Sequence, residues 1–111
     1  MADVDVDAVL ADLRTKFPSP EFELRAVQLR MGLIVLRNPS HAEHQMYKKQ
    51  ILDDDARAVA SENLLMMTAV YPDNASMQRL TKRYPGLVSN VKVQRAMAYL
   101  SGQTDESEGK N

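Results

Sequence analysis

The side chains best suited to chemistry in this chain lie in three places. His41, Glu43 and His44 fall close together, at a spacing that lets helical side chains share a metal ion. No further ligand follows at a recognisable separation. Solvated polar residues with one capping glutamate are therefore the stronger reading. Asp53, Asp54 and Asp55 form a carboxylate run. A calcium loop needs alternating oxygen ligands, a turn glycine and a distant glutamate, and none of these follows; an acid-rich helix start explains the run better. The third place is a cationic region. Residues 74–100 hold five bases (Arg79, Lys82, Arg83, Lys92, Arg95) and no acid, whereas residues 1–23 hold six acids and two bases. Such blocks are common on soluble domains and usually lie solvated or face one another. A basic face for an acidic partner is the functional alternative.

Nothing assembles these groups into a reactive centre. Cysteine is absent, which removes a disulfide framework, a thiolate zinc site and a thiol nucleophile. No nucleophile elbow, phosphate-cradling glycine loop or dinucleotide fingerprint is present. The expectation is a non-enzymatic chain with no catalytic residue, no cofactor and no metal, acting by binding other proteins.

The bulk properties frame that expectation. The 111 residues fit one domain, and 44% hydrophobic with 26% charged residues is ordinary globular composition. A chain of this length buries roughly two-thirds of its unfolded surface, enough for a core without staples. The formal net charge of -1 argues against a general nucleic-acid or membrane-surface role. The apolar runs Met31 to Leu36 and Leu64 to Tyr71 are too short to span a bilayer. The acidic N-terminus does not read as a secretory signal, so an intracellular setting is expected.

The elements that must position these groups follow from periodicity. Val6, Val9, Leu10 and Leu13 fall on one face of a helix over 5–16, which Pro18 and Pro20 terminate. Phe22, Leu24 and Ala26 alternate with Glu21, Glu23 and Arg25. With a turn at Arg30-Met31-Gly32 and the β-rich run Leu33 to Leu36, this predicts an antiparallel hairpin. Ser40 and Glu43 form a capping box for a helix to Leu52, with Met46, Tyr47 and Ile51 inward. The three aspartates then open the next helix. Its stripe is Ala56, Val59, Ala60, Leu64, Met67, Val70 and Tyr71, and it stops at Pro72. Asn74 or Ser76 caps a short helix through Met77, Leu80 and Tyr84. Pro85-Gly86 turns the chain into a last helix over 87–100, closed by Gly102. Residues 103–111 hold no apolar side chain and are expected to be disordered. The fold class is α+β, mainly helical: an N-terminal helix and β-hairpin followed by about four helices, in one domain over 1–102.

Two features point towards partners. Methionine is over-used on surfaces that accept variable partners, and Met66 and Leu65, off the main stripe of their helix, are the best such candidates. The hairpin edge offers unpaired backbone groups, a route to homo-oligomers. The two helices over 74–100, with their five bases, also leave open a helix-turn-helix DNA-binding regulator. Its second helix lacks a cluster of base-reading residues beyond Ser89, Asn90, Lys92 and Gln94.

Four segments, in order, resemble the tail assembly chaperone family of long-tailed bacteriophages. They are Val35-Leu36-Arg37-Asn38-Pro39-Ser40-His41-Ala42-Glu43 followed by Tyr47, Val70-Tyr71-Pro72-Asp73, Arg83-Tyr84-Pro85-Gly86-Leu87, and Leu100-Ser101-Gly102. Together they span about two-thirds of the chain. The resemblance implies a protein that coats the tape measure protein and keeps it soluble until major tail protein polymerises around it. It also implies residence in the host cytoplasm and absence from the mature virion. A frameshifted longer form of the chain is a further implied partner, and Gly109-Lys110-Asn111 permits a slippery codon run. On this reading the protein-binding residues to look for are Met66, Met77, Arg79, Tyr84 and Arg95. Another phage tail or connector structural protein remains the neighbouring alternative.

Overall fold

The structure is a computed structural model and describes residues 5–105. The elements run α1 (Val6–Lys16), β1 (Leu24–Leu29), β2 (Gly32–Arg37), α2 (His41–Leu52), α3 (Arg57–Thr68), β3 (Ala69–Tyr71), α4 (Asn74–Arg83), a 3-10 turn (Pro85–Ser89) and α5 (Val91–Leu100). The architecture is the expected α+β one.

A three-stranded antiparallel sheet in the order β1-β2-β3 organises the molecule. β1 and β2 form the predicted hairpin, pairing Leu24 with Arg37 at one end and Leu29 with Gly32 at the other. The two-residue turn Arg30-Met31 is closed by Gly32 at φ +139°, in a region that side chains other than glycine rarely enter. β2 is central and covered on both faces, which explains its unbroken apolar run Leu33-Ile34-Val35-Leu36. Because side chains alternate along a strand, Ile34 and Leu36 enter one core and Leu33 and Val35 another. The larger core gathers Val27 and Leu29 from β1, Leu64 and Leu65 from α3, Met77 from α4, Leu87 from the 3-10 turn, and Val93, Ala96, Met97 and Leu100 from α5. The smaller one lies under α1, where Leu13 meets Leu33 and Val35, flanked by Val6, Val9, Leu10 and Phe17.

Local chemistry sets the helix ends. The Asp5 carboxylate accepts from Ala8 N at 3.2 Å and caps α1. At α2, Glu43 N donates to Ser40 Oγ at 3.1 Å and Ser40 N donates to Glu43 Oε1 at 2.9 Å, completing the predicted box. Beyond α5, Gly102 sits at φ +88°. Its N–H donates to Tyr99 O and that of Gln103 to Ala98 O, the paired bonds of a Schellman ending.

Several expectations are corrected. Val70 and Tyr71 leave the long helix and form β3, where Tyr71 pairs with Val35. The partner strand, and not the local helical period, decides their conformation. The aspartate run does not open α3: Ala56 stands at the N-cap without a side-chain bond. Asp53 instead accepts from Asp55 N at 2.9 Å. The α4 cap is Asp73, whose carboxylate accepts from Ser76 N and Ser76 Oγ, and not Asn74 or Ser76 itself. The last helix begins at Val91, capped by Asn90, because Pro85-Gly86-Leu87-Val88-Ser89 forms the 3-10 turn first. Met46 and Ile51 do not point inward; both are exposed. Within the expected disordered tail, residues 103–105 carry no helix or strand, and residues 106–111 lie outside the described set.

Candidate protein-binding surfaces

The first motif segment proves to be a structural junction. Arg37, the last residue of β2, makes a two-pronged ion pair with Glu43: Nη1 to Oε1 at 2.9 Å and Nη2 to Oε2 at 2.8 Å. The same guanidinium donates to Asn38 O at 3.0 Å and to Met67 O at 2.9 Å. One planar fork therefore ties the end of the sheet, the start of α2 and the last turn of α3 together. The Arg37 bond holds the Glu43 carboxyl at about 2, below its usual value; burial opposes this and the Ser40 N–H assists. The same partnership raises the pKa of Arg37. Asn38 fastens the other side, accepting from Glu23 N at 2.8 Å and donating to Glu21 O at 3.2 Å.

This junction settles where Glu43 points. Its carboxylate faces Arg37, while His41 meets Gln45 at 3.3 Å and the His44 ring lies 6.0 Å from that of Tyr47. Among the described residues no group of three or more His, Cys, Asp or Glu side chains is placed to hold a metal ion. No described helix is long and apolar enough to cross a membrane.

Two surfaces remain that can engage a partner. The first is the helical pair α2–α3. α2 packs mainly on α3 and has no buried residue. Met46 is 50% and Leu52 82% exposed, with Ile51 and Val59 also outward. Ala42, Gln45, Met46, Lys49, Gln50 and Asp53 line a shallow groove of about 470 Å³ along one side of α2. The distal end is held by Arg57, which donates from Nε to Ile51 O and from Nη2 to Asp54 Oδ1, both at 2.8 Å. Asn63 Nδ2 reaches Gln50 Oε1 at 3.4 Å between the helices. Large apolar side chains are thus held on a small, defined arm.

The second surface is cationic. Arg25, Lys92 and Arg95 line a cleft of about 270 Å³ between β1 and α5, with Ala26, Val27, Gln28 and Ala96 as its other walls. The Arg25 guanidinium lies 5.0 Å from the Tyr99 ring centroid, a cation–π contact. Lys92 Nζ donates to Gln28 O at 3.3 Å. Beyond the cleft, Arg30 and Arg83 flank the Tyr84 ring, each 5.6 Å from its centroid.

The residues singled out from sequence scatter over the molecule. Met77 is 1% exposed and belongs to the larger core; its expected place on a binding face is corrected, since α4 turns it towards the sheet. Leu65 is corrected in the same way, at 0% exposure. Met66 is half-buried against the larger core. Arg79 is exposed and donates to Ser76 Oγ at 3.0 Å, Tyr84 is half-buried between its two arginines, and Arg95 stands in the cationic cleft.

Sequence reasoning missed Arg25, which read only as the polar partner of an alternating strand, and missed the outward Met46, Ile51, Leu52 and Val59. A signal for the latter was present. Met46, Tyr47, Ile51 and Leu52 spread around the helix at 100° per residue and do not form one stripe. The chain matches no protein-family model, no curated protein and no solved structure.

Proposed function

We propose that this chain is a phage tail assembly chaperone that binds amphipathic helical segments of the tape measure protein and releases them to major tail protein. The observation that carries the reading is α2, an ordered helix without a buried residue that displays Met46, Ile51 and Leu52. Outward apolar side chains on an exposed helical arm, flexible methionine among them, suit recognition of many similar amphipathic segments. Contacts of this kind are displaceable, as a transient coat requires. The ordered motifs from Val35 to Gly102 support the same reading, although their roles here are capping, turning and bridging. Homo-oligomer formation belongs to the proposal. The α2–α3 arm is its better route, because the hairpin edge is flanked by cations of one sign. A frameshifted longer form and residence in the host cytoplasm, outside the finished virion, complete it.

The test is co-expression with the tape measure protein encoded beside this gene. Soluble tape measure protein that co-purifies with the wild type, and is lost with Leu52→Asp and Met46→Asp together, is the expected result. A tape measure protein that is equally insoluble with and without the chain would sink the proposal. Recovery of the chain from purified virions would favour a connector or tail component, and a salt-steep shift of duplex DNA would favour a regulator.

A further inference from the structure

Two helices of complementary charge, α1 and α4, lie back to back in the fold. α1 fills the smaller core with Val6, Val9, Leu10 and Leu13. α4 turns Met77 and Leu80 into the larger core, on the opposite face of the sheet. At 100° per residue, the side of α1 that points away from the sheet carries Ala8, Ala11 and Thr15 as a narrow spine. Asp7 and Asp12 stand on its two flanks, and all five residues are exposed. The outward side of α4 carries Ala75, Arg79, Lys82 and Arg83, also exposed. Each helix is charged in the same order. α1 has Asp7 in its first turn and Arg14 and Lys16 in its last, with Lys16 Nζ 3.8 Å from Asp12. α4 has Asp73 as its cap and Lys82 and Arg83 in its last turn.

We propose that a second copy of this chain docks head to tail, laying its α1 antiparallel along the outward side of α4. Asp7 and Lys16 stand nine positions apart, as do Asp73 and Lys82, about 14 Å in each helix. An antiparallel approach therefore sets Asp7 against Lys82 and Arg83, Asp12 towards Arg79, and Lys16 against Asp73. The helix dipoles oppose one another in the same arrangement. The spine of two alanines and a threonine lets the axes approach to about 8 Å.

Charge complementarity selects this pairing among those open to two copies. Two α4 faces would set three cations against three. Two α1 faces can match Asp7 with Lys16, but they bring both Asp12 carboxylates together at the crossing. Only α1 on α4 matches every charge. Because the two faces differ and point in opposite directions, the contact is heterologous. Each added copy leaves one α1 and one α4 free, so growth stops only where a ring closes. The contact uses neither Met46 nor Leu52. It goes beyond the chaperone reading and stands without it.

Exposed ion pairs are individually weak, so association is expected above about 100 µM protein at about 20 mM salt, where screening is slight. Sedimentation velocity follows the full chain carrying Met46→Ser and Leu52→Ser, so that pairing through the arm contributes nothing. Its average mass should climb past the dimer with concentration and return to the monomer at about 300 mM salt. In this background, Asp7→Asn with Asp12→Asn, and separately Arg79→Gln with Lys82→Gln, should each leave monomers of unchanged helical circular dichroism. Mixed together, these two variants should form one-to-one dimers and nothing larger, because one intact α1 meets one intact α4. The chain has no cysteine, so introduced thiols report the geometry. Chains carrying Thr15→Cys and Ala75→Cys should oxidise to the mixed disulfide in at least about tenfold preference over either like pair. Monomer at every concentration in low salt overturns the proposal. So does an average mass that neither pair of charge substitutions changes, a mixture that grows beyond the dimer, or like and mixed disulfides in equal yield.

Discussion

Glu43→Gln separates the charge of the Arg37 junction from its shape. Glutamine is nearly isosteric with glutamate and still accepts the Ser40 N–H at the third helical position, so the capping box survives. What is lost is the anion facing Arg37. In the folded chain the Glu43 carboxyl sits at about 2, against an ordinary 4.5. Every tenfold change in acid strength between the unfolded and folded chain corresponds to about 1.4 kcal/mol, so the ionised form stabilises the fold by about 3 kcal/mol at most. The Arg37 and Glu43 side chains are only 16% and 23% exposed, so screening by solvent removes a minor part. At neutral pH the variant should lose about 2–3 kcal/mol, because Arg37 keeps Met67 O, Asn38 O and a neutral amide oxygen as acceptors but loses the anion and the second prong to Oε2. For a domain of this size that is a fall of roughly 10 °C or more in Tm. The pH dependence gives a sharper check. The folded pKa lies below the unfolded one, so the contribution is complete above the unfolded value and disappears as pH falls from about 5 towards about 2. Urea unfolding of wild type and variant at a series of pH values should therefore give curves that differ at neutral pH and converge in acid. A difference below about 0.5 kcal/mol at neutral pH, or one that stays constant into acid, would refute the reasoning.

Other substitutions probe the rest of the architecture. Met77→Ala or Leu65→Ala should cost about 2–5 kcal/mol in urea unfolding, since both side chains fill the larger core. Leu52→Asp should leave stability within about 0.5 kcal/mol, because its side chain lies in solvent, while removing solubilisation of a helical client. Asn90→Ala should cost about 1 kcal/mol, because the Asn90 carboxamide oxygen accepts from Lys92 N and Val93 N. Gly32→Val should destabilise the hairpin, as φ +139° is strained for a β-branched residue; loss of β1–β2 amide protection in hydrogen exchange would show it.

The parts of the fold legible in the sequence are those set by neighbouring residues. The Ser40–Glu43 box, the Gly32 turn and the Gly102 ending are local chemistry, and each forms as expected. β3 is not local. Three residues cannot signal a strand alone, and Val70-Tyr71 continue the helical period of α3 well enough to conceal their pairing with β2. Met46 and Leu65 show the same limit in opposite directions. Both are apolar and helical, yet α2 packs on one helix while α3 lies within the body, so the first is bare and the second is enclosed. The cationic cleft was half visible. Lys92 and Arg95 stood out in a region without acids, but Arg25 joins them only because α5 crosses back over β1, from Gln28 beside Lys92 to Arg25 beside Tyr99.

The sheet has a consequence for how the molecule opens. Its two cores lie back to back and share only the strands between them. α1 covers the smaller core with one buried side chain, Leu13, whereas the opposite face is sealed by four elements. Opening free energies follow buried apolar contact, so α1 should lift as a unit long before the remainder unfolds. Its amides would exchange early, and those of β2 last. While α1 is raised, Leu33 and Val35 face solvent, and the protein shows an apolar face that it hides at rest.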